Sequence, residues 1–529
     1  MEKRKRGFSR QWAAAKFILA LITAVFVIFV SVSKYRSDEV NYRNSDAAWH
    51  TLLTIEAYSE TPASQHLFLP IVSLGNQDNK NISWGATIPD DEGNYYYTSF
   101  SPAGYFLPWL FFKIFKLSVC EKSLYIFNTF LFGLSAILWM LFLMEFYEKE
   151  EKTAVLAIVG TIIYVLSPEL LHGMGIVYWH QSLMQLTLLI QFAAYYKMKE
   201  GQSKLAGIIF YTMALINPYI EWTGYVANVG FALAEMISGY KNNFRVSCRR
   251  ILTLAFLTVC SFGIFSWHYL LRVDAQVFFD ALKSRFMARN ITTSVEYTAL
   301  FGSYLKSFLF WWIFLFVLVI WILIKRKSLA GRNLFWLFVF LFPAAENILM
   351  KQHAISYTYD KMKLVFFFSL LACELVVQLD RLYTDKKKAF SSLIIIFTLA
   401  CGLLNYRSYK NDSSYIWEAN YRADNERIAD YINENYSDAV LGVEDASIRG
   451  YMNLLFGKGI YEYTKPDRLL RRAKSKGKRY AVMITIEDKC VWNMYDLSGG
   501  IVYDRETDTV TELTLKDGSV SENQIEEKQ

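Results

Sequence analysis

The sequence predicts a mainly α-helical, polytopic membrane protein with a small soluble α/β domain at its C-terminal end. Three observations predict it. Apolar residues make up 53% of the 529, and they recur in blocks of about 20, the length a helix needs to cross a hydrocarbon core. Several blocks, such as Phe17–Val32 and Phe308–Ile324, hold no charge at all. From Asn405 onward the composition becomes that of a soluble chain, with 18 Lys+Arg against 22 Asp+Glu, so the preceding part carries 38 against 27 and a net +11.

The blocks must be helices, because lipid offers no water to an open backbone. The basic N-terminal stretch MEKRKRGFSRQWAAA precedes the first of them. Val32-Ser33-Lys34-Tyr35 is not a small-residue cleavage site, so the segment reads as an uncleaved first helix with a cytoplasmic N-terminus. The predicted spans are 16–33, 123–144, 153–168, 180–196, 204–219, 221–238, 250–268, 304–324, 333–349, 361–379 and 389–405. Short basic connections at 145–152, 197–204, 240–250, 325–332 and 380–388 then share the cytoplasmic side, as positive-inside bias requires. That bias explains the +11 without nucleic-acid binding. The expectation is a multi-pass plasma-membrane protein with a transmembrane domain at 1–405, outer loops at 34–122 and 269–303, and an extracytoplasmic domain at 406–529.

Phe100–Leu117 is apolar enough to span, which would raise the eleven spans to 12 or 13. Pro102 and Pro108 interrupt it and Lys113 and Lys116 sit at its far end, so it reads as a helix in the outer interface. All six histidines (50, 66, 172, 180, 268 and 353) then fall at or near the outer face. A histidine at a helix end is ordinarily a hydrogen-bonded structural residue. Six on one side, with acids and aromatics between them, point to an outer cavity.

The first outer loop begins NYRNSDAAWHTLLTIEAY. A helix starting near Asn44 places Trp49, Leu52, Leu53 and Ala57 on one apolar stripe, with Asp46 and His50 one turn apart. Either Asn44, Ser45 or Asp46 is simply the N-cap of that helix, or Asp46 is a general base at the bilayer surface. Tyr97 closes a Tyr95-Tyr96-Tyr97 run in the same loop. Tyr178 and Trp179 suit an aromatic belt, and His180 follows them into the next span. Glu221 lies at membrane depth beside Pro218 and needs a partner or water there, which makes it a site candidate. Arg285 and Arg289, one turn apart, suit a phosphate, or a solvated helix face. Glu346 interrupts an apolar span, and Lys351, His353 and Lys361 would rim an acidic cavity that suits an anionic headgroup. Snorkelling is the alternative for Lys361 and Lys363. The six cysteines show no paired or metal spacing. After residue 405 a helix at 425–435, strands at 439–443, 480–486, 501–503 and 509–515 and a basic helix at 466–476 are expected, with a frayed tail from Asp517.

In this layout the chain resembles the GT-C superfamily of membrane glycosyltransferases, and most closely its protein O-mannosyltransferase and aminoarabinose transferase branch. Asp46 stands where that family places its catalytic acid. Ser101-Pro102-Ala103-Gly104-Tyr105 is similar to its proline-containing segment, Trp267-His268 to Trp312 to its long outer loop, and His353 to Tyr359 to its donor-facing polar segment. The resemblance implies inverting transfer of a sugar from a polyprenyl-phosphate donor to an acceptor hydroxyl on a glycan, lipid or protein. Asp46 would be catalytic, with His50, His180, Glu221, Tyr178 and Tyr97 in the acceptor cavity. Arg285, Arg289, Lys351, His353 and Tyr359 would bind the donor phosphate. His180 stands where many relatives have a second aspartate, and Glu221 where a lysine is common. No cofactor is indicated, and a divalent metal stays open. A lipid or solute transporter and a non-catalytic scaffold of the same fold are the alternatives.

Overall fold

The computed structural model describes residues 2–37, 46–74, 87–201, 203–241, 244–324, 333–381, 387–411, 429–443, 449–457, 459–462, 466–484, 500–504, 509–516 and 519–525. They form two compact units. The first comprises Met1–Ser37, Tyr125–Trp267 and Phe286–Ser413; the second comprises Asp38–Leu124, His268–Arg285 and Ser414–Gln529. The predicted division at 405 lies near the second unit's return at Ser414, and the first outer loop groups with the C-terminal residues.

The first unit is a helical bundle, and each predicted span coincides with a helix or a broken helix. Among the described residues Gln11–Arg36, Glu121–Phe146, Phe244–Leu270 and Ala389–Asn411 are long and apolar enough to cross a bilayer as they stand. Exposed Phe17, Phe29, Leu252 and Phe256 show the apolar faces such helices turn to lipid rather than water.

Three predicted spans are broken. Thr153–Val165 bends by 61° into Pro168–Ile176, where Pro168 has no N–H to continue the ladder and His172–Ile176 opens into a π-turn. Leu334–Leu341 tightens to a 3₁₀ turn at Phe342–Ala345 around Pro343. The third break is a 78° bend between Tyr297–Ser307 and Leu309–Ile324, at Phe308, whose backbone leaves the helical region without a proline.

The hairpin 203–241 places one end of the site described below. Ser203 caps its first helix, its Oγ accepting the Ala206 N–H at 3.2 Å. Near the other end Pro218 precedes Glu221, whose extended backbone terminates the helix. The next helix starts at Thr223. So tight a reversal requires Gly224: a Cβ there would lie 2.2 Å from the Asn217 carbonyl carbon. Below the turn, Asn217 Nδ2 donates to Gln191 Oε1 at 2.6 Å and Gln191 Nε2 to Asn228 Oδ1 at 2.9 Å. Asn228 Nδ2 closes the relay on Ala214 O at 2.7 Å. Amide pairs of this kind hold helices together where hydrophobic burial gives no preference.

In the second unit, the Asp46–Glu60 helix buries more than the predicted apolar stripe. Trp49, Leu52, Leu53 and Ala57 are buried, but so are Ala47, Ala48, Thr51, Thr54 and Ile55, leaving, among the described side chains, only the Glu56–Glu60 end partly open. Small and β-hydroxy side chains make this tolerable, because neighbours approach closely and Thr51 returns its hydroxyl to Ala47 O at 3.0 Å. Ala103–Phe115 is about 20 Å long, shorter than a bilayer core. A hairpin pairs β1 (Thr87–Pro89) with β2 (Tyr95–Tyr97).

The C-terminal part is a six-stranded mixed sheet, ordered β4-β3-β5-β6-β7-β8, from β3 (Val440–Val443), β4 (Tyr461–Glu462), β5 (Tyr480–Ile484), β6 (Gly500–Asp504), β7 (Thr509–Lys516) and β8 (Ser519–Ile525). The first three strands are parallel and the rest antiparallel. Leu469 and Ala473 of the basic Pro466–Ser475 helix pack with Val440, Tyr461 and Ala481 over it. The predicted frayed tail is instead β8, paired along β7 from Lys516↔Ser519 to Val510↔Ile525.

Gly224→Val would drive a branched side chain into the Asn217 backbone, and overpacking of this kind costs about 1–3 kcal/mol or more. Thermal unfolding of the purified variant should show a lowered Tm, whereas Gly263→Val, where nothing lies within 4 Å, should leave it unchanged.

Candidate functional site

Four pieces of the first unit bring charge into its interior: the hairpin turn with Glu221 and Thr223, the broken helix with Glu346 and Asn347, the segment 351–363, and the start of the His180–Glu200 helix. Lys363 joins them. Its Nζ makes a close ion pair with Glu346 Oε2, lies 3.5 Å from Asp360 Oδ1 and donates to Thr223 Oγ1 at 2.9 Å. Glu221 Oε2 accepts the Thr223 N–H at 2.9 Å. Asp360 Oδ1 accepts from Gln181 Nε2 at 3.1 Å, and Asp360 Oδ2 lies 3.2 Å from His353 Nδ1. Asn347 Nδ2 donates to Tyr304 OH at 2.6 Å. Lys361 donates to Ser307 Oγ at 2.8 Å and lies 4.0 Å from Glu169 Oε1.

This overturns snorkelling for Lys361 and Lys363, which are 2% and 5% exposed. A cation is retained at that depth because carboxylates within reach repay its desolvation. Lys351 Nζ stands 4.7 Å over the Tyr297 ring. Gly173 makes room on the other side, since a Cβ there would lie 2.5 Å from Tyr359 Cβ.

Oxygens of Glu221, Glu346 and Asp360 lie within 4.8 Å of one another. Three carboxylates are a hard-oxygen set that suits Mg²⁺ or Ca²⁺. Lys363 already occupies that negative field, so a divalent ion could enter only by displacing its ammonium. Burial alone would raise the Asp360 pKa, but Lys363 and His353 outweigh it and hold the carboxyl below the usual range. His353 goes the other way: burial pushes it down to about 4 against the pull of Asp360, and the positive charge of Arg289 acts in the same direction as burial. Near neutral pH the pair is a carboxylate and a neutral imidazole.

The remaining predicted residues divide between the units. In the first, His180 is buried with its ring 4.8 Å from Trp179, and Tyr178 is buried edge-on against Phe127. Arg289 is buried near the end of the Ala275–Asn290 helix, and Tyr359 lies between Tyr357 and His172. In the second, Asp46 opens its helix, but its side chain lies outside the described residues. His50 sits 4.4 Å edge-on to Tyr97 and 3.4 Å from Tyr105 OH. Tyr97 presents its carbonyl to Tyr269 OH at 2.7 Å, and Arg285 is half-buried. The six histidines also split, with 50, 66 and 268 in the second unit and 172, 180 and 353 in the first. His66 and His268 are structural: His66 Nδ1 accepts the Phe68 N–H and His268 Nε2 meets Leu67 O.

Sequence reasoning missed Glu169, Thr223 and Lys34. Lys34 reads as the end of the first span, yet it is fully buried and donates to Leu171 O at 2.7 Å. Gly175 gives it room, since a Cβ there would lie 1.8 Å from Nζ. The signal available was the presence of two glycines in the His172–Ile176 segment.

No family model and no curated protein matches this sequence. Solved structures do match its fold. ArnT from Cupriavidus metallidurans bound to undecaprenyl phosphate aligns with a TM-score of 0.54 and 11% identity over 88% of this chain and 93% of that one. Its apo form gives 0.52 and 11% over 90% and 94%. The apo oligosaccharyltransferase of Archaeoglobus fulgidus gives 0.53 and 12% over 88% and 69%. The chain shares the fold of these structures, as expected from the resemblance of its layout.

Two outcomes follow from the cluster. Lys363→Met strands three buried carboxylates and should destabilise by about 3–5 kcal/mol, with partial recovery in Lys363→Met/Glu346→Gln, read by thermal unfolding. For His353 the folded pKa is about 4 against an ordinary 6.5, so between those values the unfolded chain binds a proton the folded one refuses. Its contribution is therefore complete above about pH 6.5 and lost as pH falls toward 4. In a Tm-against-pH series, His353→Gln should flatten that limb, leaving any further loss below pH 3.8 to Asp360, whose pKa is depressed.

Proposed function

We propose that this protein is an inverting membrane glycosyltransferase that moves a sugar from a polyprenyl-phosphate donor to an acceptor hydroxyl at the outer membrane face. The observation that carries the reading is the fold match across 88% of the chain to an enzyme solved with undecaprenyl phosphate. In the proposed step the acceptor oxygen attacks the anomeric carbon while Asp46 takes its proton. The bond from that carbon to the phosphate oxygen breaks, and polyprenyl phosphate leaves with the electron pair.

The charge that develops on the leaving phosphate needs preorganised donors. Arg289 is the first candidate, since its charge already acts on the His353 imidazole; Arg285, Lys351, His353 and Tyr359 complete the proposed donor set. His50 and Tyr97, already in ring contact, would shape the acceptor side, with His180, Tyr178 and Glu221. Glu221, tied to the Lys363 cluster, would shape the cavity rather than exchange a proton. The proposed orientation keeps the N-terminus cytoplasmic and the sheet-containing unit outside.

The three broken helices are a feature that a lipid or solute transporter would share. Transport and transfer separate in one assay: only a transferase releases polyprenyl phosphate from a lipid-linked sugar in detergent, where no compartments exist. Asp46→Asn should lower that release by about 100- to 10,000-fold, the range general-base catalysis supplies, with expression and Tm unchanged. Undiminished release in the variant removes Asp46 from the mechanism.

A further inference from the structure

The helix pair 180–220, which reaches Glu221 at one end, carries a different chemistry at the other. The His180–Glu200 helix runs from His180 to Lys199 and the Lys204–Ile220 helix returns to Glu221. At 1.5 Å per residue the two ends are about 25–30 Å apart, the thickness of a bilayer core. At the far end lies a cavity of about 610 Å³, lined by Lys199, Lys204, Arg249 and Arg250 together with Ser203 and Thr253.

The charges there are not balanced. Glu235 is fully buried and takes two of the four cations, with Lys199 Nζ and Arg250 Nη1 each 3.2 Å from its carboxylate. Tyr195 OH donates to the same group at 2.9 Å. Glu235 thereby fixes one wall, while among the described residues Lys204 and Arg249 have no carboxylate partner. A single buried anion against four cations leaves an electropositive cavity. The N-terminus of the Lys204–Ile220 helix also opens on it, adding the partial positive charge of its first turn.

We propose that this cavity binds the headgroup phosphate of an anionic phospholipid. The apolar rim favours a lipid over a soluble phosphate: Leu205, Ile208 and Leu252, each next in sequence to a lining residue, are 67%, 64% and 70% exposed. Those side chains provide a surface for acyl chains at the level where a headgroup would occupy the cavity. Basic pockets between membrane helices recognise anionic headgroups in this way. The proposal does not depend on the transfer reaction, because its residues lie a bilayer's thickness from the Lys363 cluster.

The test uses the full-length purified protein in neutral detergent, with phosphatidylglycerol, phosphatidylcholine or inorganic phosphate added, read by native mass spectrometry and thermal shift. Phosphatidylglycerol should bind and raise the Tm, and Lys204→Gln/Arg249→Gln should weaken that binding by at least about tenfold. Both side chains are exposed, so the Tm of the lipid-free variant should match the parent. Equal binding of phosphatidylglycerol by parent and variant overturns the proposal, as does equal binding of phosphatidylcholine. A shift reproduced by inorganic phosphate alone overturns the lipid as occupant.

Discussion

A lysine ammonium held among carboxylates inside an apolar bundle is the constraint on which the first unit depends. Lys363 is 5% exposed, and no helix carries an unpaired charge to that depth cheaply. Its partners come from positions 221, 223, 346 and 360, so separate elements must converge on one point. Continuous straight helices would not deliver them. Glu221 and Thr223 are available because Pro218 and Gly224 permit a two-residue reversal. Glu346 and Asn347 follow the 3₁₀ turn at Pro343. Asp360 and Lys363 share one face because they are three residues apart across a short 3₁₀ segment. The breaks in the helices and the buried charge are therefore one feature.

The cluster is closed around its own charges, which decides what chemistry it suits. Asp360 is held as a carboxylate by Lys363 and His353, and His353 is held neutral by burial. A pair fixed in single protonation states near pH 7 is a poor proton shuttle but a good scaffold, since it orients neighbours without exchanging protons. This suits a floor for a phosphate-binding region better than a general base. The proposed base belongs to the second unit, where the Asp46–Glu60 helix is covered on nearly every side and is consequently placed with little freedom.

The helices were legible because hydrophobic blocks of bilayer length leave few alternatives, and each predicted span fell on one. The breaks were less legible. Apolar composition is the same on both sides of Phe308, and no proline announces the 78° bend there. Acids in apolar runs drew attention to Glu221 and Glu346, because such an acid requires a partner, and both are buried beside Lys363. The identity of the partner was hidden, since Lys363 at the start of an apolar helix has the pattern of a snorkelling lysine and reaches Thr223 across 140 residues. Lys34 was hidden for the same reason. The wider burial of 46–60 was not legible, because a stripe reports one buried face and says nothing of how close neighbours come on the others. In the tail, Asp517-Gly518 is a hairpin signal that the surrounding polarity masked. At 11–12% identity to the solved structures, the fold persists.

The most direct measurement is photo-crosslinking of the purified protein with a polyprenyl phosphate carrying a diazirine near the phosphate, followed by peptide mapping. Label on the peptides containing Arg289 and His353–Tyr359, competed by unlabelled polyprenyl phosphate, is the expected result. Label confined to peptides containing Lys204 and Arg249, or no competable label at all, would contradict a donor-phosphate site in the 351–363 region and with it the proposed transferase.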